Sequence, residues 1–123
     1  MIYTASLDIV RRAPFRVIEA RRVSPSVCQE MRRRFDTNAR SCYRAEHAAP
    51  YGSQIHHKLP LCLGGDNNPD NLVMIEPRLH TMIHDYLDWQ MRGMEIGDIR
   101  TLRLPEVPGS YWHITKTPRL KHG

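Results

Sequence analysis

Four of the chain's seven histidines fall in one stretch, Gln54 to Asp88, as two pairs, His56-His57 and His80/His84. What separates the pairs constrains the fold most. Pro60, Gly64-Gly65, Asp70-Asn71 and Glu76-Pro77 cut the stretch into pieces that suit brief strands and one helix. Ile55–His57 reads as a short extended piece, and Leu72–Ile75, four apolar residues between Asn71 and Glu76, as a second. Pro77 suits the first turn of a helix, where its missing N–H costs nothing, and Gly93 is a stop signal, so a helix is predicted from Pro77 to about Met91.

This layout gives the histidines different duties. Adjacent strand residues point to opposite faces, so His56 and His57 diverge. His80 and His84, four apart on a helix, share a face with Cβ atoms about 5–6 Å apart, a separation that suits two imidazoles on one metal ion. One histidine of the early doublet, His56 or His57, completes a three-imidazole site with open positions. The other is then a neutral base beside a cation, with an ordinary pKa near neutrality. Such an arrangement predicts metal-assisted hydrolysis.

The ordered run of His56-His57, Pro60, Gly64-Gly65, Asn71 with an apolar strand after it, then His80 and His84, resembles the ββα-metal (His-Me finger) motif of the HNH nucleases. The likeness is to the all-histidine version in the DNase domains of colicins, S-type pyocins and related antibacterial effectors. It implies an α+β fold: a ββα-metal core over about residues 54–92, extra N-terminal helices in 1–53, an irregular extension over 93–123, and one domain in all. It implies that His57 is the general base, that His56, His80 and His84 hold one divalent metal ion, and that Asn71 orients the base by bonding backbone around it. The activity implied is hydrolysis of DNA with little sequence preference, with RNA left open. The partner implied is an acidic immunity protein, and the site of action a bacterial cytoplasm reached as an effector domain without its own signal peptide. A phage or housekeeping nuclease, and a non-catalytic zinc-stabilised nucleic-acid-binding module, are the competing readings. Where the DNase colicins carry an acidic residue before the doublet, Gln54 stands here.

Neutral imidazoles suit Zn²⁺ or Ni²⁺, while phosphate oxygens on a bound substrate would also make room for Mg²⁺ or Mn²⁺. Lys58, Arg40, Arg44 and Arg78 are the candidates for gripping backbone phosphate, although a solvated helical face is the ordinary role of such arginines. A net charge of +5 fits a polyanionic partner without requiring one. No apolar run reaches membrane-spanning length, and no signal-peptide pattern opens the sequence.

The three cysteines, Cys28, Cys42 and Cys62, show no CxxC spacing and read as structural thiols, Cys62 being packed between leucines. Upstream, Thr4 caps a predicted short helix through Arg12, and Phe15, Val17 and Val23 suggest an extended segment. Ser24-Pro25 starts a helix over Ser26–Phe35 with Val27, Met31 and Phe35 as its apolar stripe, among Arg32, Arg33 and Arg34. A second helical run is predicted over Asn38–His47, with His47 as a surface or cap residue. On the last helix Leu79, Met82, Ile83, Tyr86 and Leu87 form the core face and Trp89 is expected to be partly buried, while Asp85 and Asp88 are acceptor candidates for the ligating imidazoles. The tract Asp66–Asp70 reads as turn chemistry alone. Beyond Gly93 the chain reads as irregular, with a short strand at Tyr111–Thr115, a structural His113 and a basic tail from Lys116.

Overall fold

A Ser24 side chain and a proline at the first helical position begin the first full helix, and the rest of the chain follows similar local signals. A computed structural model gives the fold; it describes residues 10, 12–47, 52–106 and, by backbone alone, 111–112. In chain order the elements are strand β1 (Phe15–Arg21), helix α1 (Pro25–Arg34), a π-helical turn (Phe35–Ala39), helix α2 (Arg40–Glu46) and strand β2 (Gln54–His57). After two 3₁₀ turns (Leu61–Leu63 and Pro69–Asn71) come strand β3 (Leu72–Ile75), helix α3 (Pro77–Met91), strand β4 (Ile99–Pro105) and strand β5 (Tyr111–Trp112). The expected helix from Thr4 lies almost wholly outside the described residues. So do His113, the basic tail and most of the 48–53 loop.

The class is α+β, with two small sheets and helices packed on them. β2 pairs antiparallel with β3, and β3 pairs parallel with β5. β1 and β4 form a separate antiparallel ribbon, from Phe15 opposite Pro105 to Arg21 opposite Ile99. That ribbon corrects the reading of the chain beyond Gly93 as irregular. Leu102 and Leu104 alternate with polar residues and are buried, a period-two pattern that Pro105 and the nearby glycines obscured.

β3 is apolar at every position because both of its faces are covered. Val73 and Ile75 pack with Leu79, Met82, Ile83, Tyr86 and Leu87 of α3. Leu72 and Met74 face the other way, onto Phe35 and Tyr43. The Tyr43 hydroxyl donates to the Leu72 carbonyl at 3.1 Å, which fastens α2 to the strand and gives a buried O–H its partner. Two expectations for apolar side chains fail. Val27 is 51 % exposed and Trp89 is 56 % exposed, because no apolar cluster among the described residues reaches those helix faces; Arg92 lies over the Trp89 ring at 4.3 Å. The two predicted helices of the N-terminal part also join, since α1 runs through the π turn into α2 without a break.

The segment between β2 and β3 turns on two glycines. Gly64 takes φ of 89°, a left-handed conformation that closes the first 3₁₀ turn. At Gly65 a Cβ would sit 1.8 Å from the Leu59 carbonyl oxygen, so the backbone itself excludes a side chain. Gly65→Ala is therefore expected to lower stability by about 3 kcal/mol or more, well beyond a usual surface change. Urea unfolding of the variant against wild type checks this, and Gly64→Ala should cost only about 1–3 kcal/mol.

Candidate metal centre and its cleft

In an antiparallel pair, residues directly opposite one another share a face of the sheet. His56 is opposite Val73, and Gln54 is opposite Ile75, so both side chains belong to the α3 side. His57 is opposite Leu72 and belongs to the side of Phe35 and Tyr43. The divergence expected of the doublet is thus built by register.

On the α3 side, His56, His80 and His84 bring one ring nitrogen each within 4.8 Å of the others. The Nε2 atoms of His80 and His84 are 2.9 Å apart. Two nitrogens about 2.0–2.1 Å from one ion, at angles between octahedral and tetrahedral, would be about 2.9–3.4 Å apart. The His56 ring lies 5.4 Å from that of His80 and 6.0 Å from that of His84, centre to centre. His57 is not in this group, so among the described residues three imidazoles rather than four can share an ion.

Two further observations fit a cation. His56 is 3 % exposed, and its buried Nδ1 has no hydrogen-bond partner among the described residues. A buried polar nitrogen without a partner is costly, and a bound ion is one thing that relieves such a site. His80 has its Nδ1 2.7 Å from the Gln54 amide oxygen. An oxygen only accepts, so Nδ1 carries the hydrogen and Nε2 keeps its lone pair for a metal, as outer partners of ligating histidines commonly arrange. Gln54 was legible only as a departure from the bacteriocin pattern. Its spacing of two from His56 along a strand was the signal that it shares the ligand's face.

Burial keeps His56 and His80 neutral. His56 is held down to about 3, chiefly by burial and secondarily by the nearby His80 and His84. His80 is held down to about 4, again by burial first and then by His84. Ligating imidazoles must be unprotonated, so these environments suit metal uptake at neutral pH.

A cleft of about 150 Å³ opens on the cluster, and its lining includes His56, His57, His80, His84, Arg32 and Asp88. His57 is 8 % exposed; its Nε2 lies 2.9 Å from the Asn67 side-chain oxygen, and the Phe35 ring meets it edge-on at 4.7 Å. Burial lowers its pKa as well, while the Asn67 bond opposes that shift. Asn71 closes the loop behind it. Its Oδ1 accepts from Leu59 N–H at 2.9 Å, and its Nδ2 donates to the carbonyls of Leu59 and Asp66 at 3.0 and 2.9 Å. The Asn71 carbonyl also accepts from Lys58 N–H at 2.7 Å, so the backbone that follows His57 is clamped.

The basic candidates lie elsewhere. Arg40 binds Asp36 and covers the Phe35 ring, Arg44 donates to the Ser53 carbonyl, and Arg78 pairs with Glu76. Lys58 lines a different hollow, with Arg16, Asp70 and Glu106. Glu30 ties down Arg33 and Arg34. Arg32, read as part of a solvated helical face, is the arginine in the lining of the histidine cleft; it forms no ion pair among the described residues, and its charge is felt by both His57 and His80. Asn67, read as turn chemistry, is the second residue the sequence hid, since its contact with His57 spans ten positions of irregular chain. Asp88 lines the cleft while Asp85 does not. Cys62 is half-buried as expected, its thiol pushed up by burial, and His47 caps α2 through Tyr43 carbonyl.

No family model matches the chain, and no curated protein or solved structure is significantly similar to it. Among the described residues no helix is long and apolar enough to cross a membrane.

Wild-type protein should take up one Zn²⁺ or Ni²⁺ per chain, and His80→Ala or His84→Ala should reduce this to a small fraction; equilibrium dialysis with metal analysis checks it. Gln54→Ala should weaken uptake about 10–100-fold. Metal-stripped protein should also be acid-sensitive. The unfolded chain binds a proton on His56 near pH 6.5 that the folded chain refuses until about 3. The His56 contribution is therefore full above about pH 6.5 and falls by up to about 1.4 kcal/mol per pH unit below it. His80, also held down by burial, adds a smaller loss in the same direction. Urea midpoints between pH 7.5 and 4.5 measure that slope.

Proposed function

We propose that the chain is a metal-dependent endonuclease of the HNH, ββα-metal type that hydrolyses phosphodiester bonds of DNA with little sequence specificity. The observation that carries the reading is the β2–β3 register: it sends His56 to the helix histidines and His57 to the opposite face, while both line one cleft. Three ligands with open positions beside a free base form a hydrolytic layout rather than a closed structural metal site.

In this reading His56, His80 and His84 would hold the divalent ion, Zn²⁺, Ni²⁺, Mn²⁺ or Mg²⁺, which when bound supplies charge neutralisation for the pentacovalent phosphate and the departing oxygen. His57 takes the proton of the attacking water, as a neutral imidazole held in the cleft wall. Arg32 grips the phosphate, because its guanidinium is free of a carboxylate partner among the described residues and faces the same cleft. Asn71 holds the chain behind the base so that the ring keeps its place. A net charge of +5 supports contact with the phosphate backbone rather than with base edges.

The resemblance to bacteriocin DNases extends the proposal to biology: a toxic domain of an antibacterial effector, acting in a bacterial cytoplasm and restrained by an acidic immunity protein. Growth arrest on expression, relieved by co-expression of the neighbouring gene, tests that extension.

Plasmid nicking tests the chemistry. Wild type with added metal should nick and linearise supercoiled DNA, and His57→Ala should lose about 10²–10⁴-fold in rate while still binding metal. Cleavage that survives in His57→Ala would remove the base assignment. Metal uptake by wild type without any cleavage would favour the non-catalytic module. Arg32→Ala should weaken DNA binding and reduce the salt dependence of binding by about one unit of slope; an unchanged slope would move the phosphate contact elsewhere.

A further inference from the structure

We propose that Asn67 is a positioning residue that fixes the hydrogen of His57 on Nε2, so that Nδ1 presents the lone pair that accepts the water proton. This rests on the reading of His57 as the general base. The proton placement itself follows from geometry.

The Asn67 amide bridges two groups. Its Nδ2 lies 3.0 Å from the Met31 carbonyl oxygen, and its Oδ1 lies 2.9 Å from His57 Nε2. A carbonyl has only lone pairs to offer, so the amide face turned to Met31 must be the NH₂ group. The face turned to His57 is then the oxygen, which only accepts, and Nε2 must be the donor. A neutral imidazole has one N–H, so Nδ1 is left with the lone pair. Among the described residues Nδ1 has no hydrogen-bond partner, and His57 lines the cleft.

The helix irregularity supplies the anchor. At the junction where α1 passes into the π turn, the Phe35 N–H is shared between the carbonyls of Arg32 and Met31. The Met31 carbonyl therefore has capacity for a second donor, and Asn67 takes it. The same π turn places the Phe35 ring edge-on to His57, at an interplanar angle of 68°. π turns inside helices are often found at functional sites. Here one such turn sets both a wall for the imidazole and the acceptor that orients the amide.

The test is ¹⁵N-edited NMR of the histidine rings in the whole protein, alongside steady-state cleavage. In wild type His57 should show a pyrrole-type Nε2 whose proton exchanges slowly with solvent, and a pyridine-type Nδ1. In Asn67→Ala the Nε2 proton should be lost to exchange and kcat should fall about 10-fold or more, with KM and metal content unchanged. A wild-type His57 protonated at Nδ1 overturns the proposal, even if the variant fails to fold. So does a folded Asn67→Ala with a protected Nε2 proton and unaltered kcat. A wild-type protein with the expected ring signals that cuts no DNA would instead overturn the nuclease reading, and the hydrogen placement would survive it.

Discussion

The register of β2 against β3 is the constraint on which the site depends. With His56 opposite Val73 and His57 opposite Leu72, two adjacent imidazoles enter two separate environments. One meets the histidines of α3 among aliphatic side chains, the other meets the Phe35 ring at the end of α1 and the amide of Asn67, which is held by the Met31 carbonyl of that helix. A slip of one residue would exchange the two faces and leave neither arrangement intact. β3 holds the register because it is buried on both sides and cannot shift without exposing Val73 and Ile75 or Leu72 and Met74.

The rest of the chain serves that strand pair. The aliphatic face of α3 sets the distance of His80 and His84 from β2, and Gln54, on the same face as His56, turns the His80 ring. Asn71 and the glycine turn hold the connecting loop in a conformation that bonds back to the residue just after the doublet. Charge is distributed with similar economy. Most arginines near the site are engaged by a carboxylate or a carbonyl on their own helix or a neighbouring loop, whereas Arg32 stands in the cleft without an acidic partner among the described residues. One guanidinium beside neutral imidazoles favours an anion there once a cation is bound.

Much of this was legible in the sequence where the signal was local. Pro77, Gly93 and the four-residue spacing of His80 and His84 foretold α3 within a residue, and the apolar run Leu72–Ile75 is β3. The opposed faces of His56 and His57 followed from strand geometry alone, though the choice between them as ligand came from the resemblance. What remained hidden depends on contacts far apart in the chain. β4 is specified mostly by its pairing with β1, more than seventy residues upstream. Asn67 sits in a tract of Asp, Asn and Pro whose other members make turn bonds, Asp66 to Asn68 and Asn68 to Asp70, so nothing in the letters singles it out. Arg32 is one of three consecutive arginines, and only the rotation of α1 and the reach of Glu30 separate it from its neighbours. Trp89 and Val27 show the reverse error: a helical stripe reports a core only where another element covers it.

Three imidazoles sharing one cation is the claim from which the rest follows. X-ray absorption at the metal edge of protein loaded with one equivalent of Zn²⁺ or Ni²⁺ tests it without reference to activity. The account predicts three imidazole nitrogens at about 2.0–2.1 Å with the remaining positions filled by oxygen. It also predicts that His57→Ala leaves the spectrum unchanged. A sulfur shell from a cysteine, fewer than three imidazoles, or a fourth imidazole that disappears with His57 would contradict it.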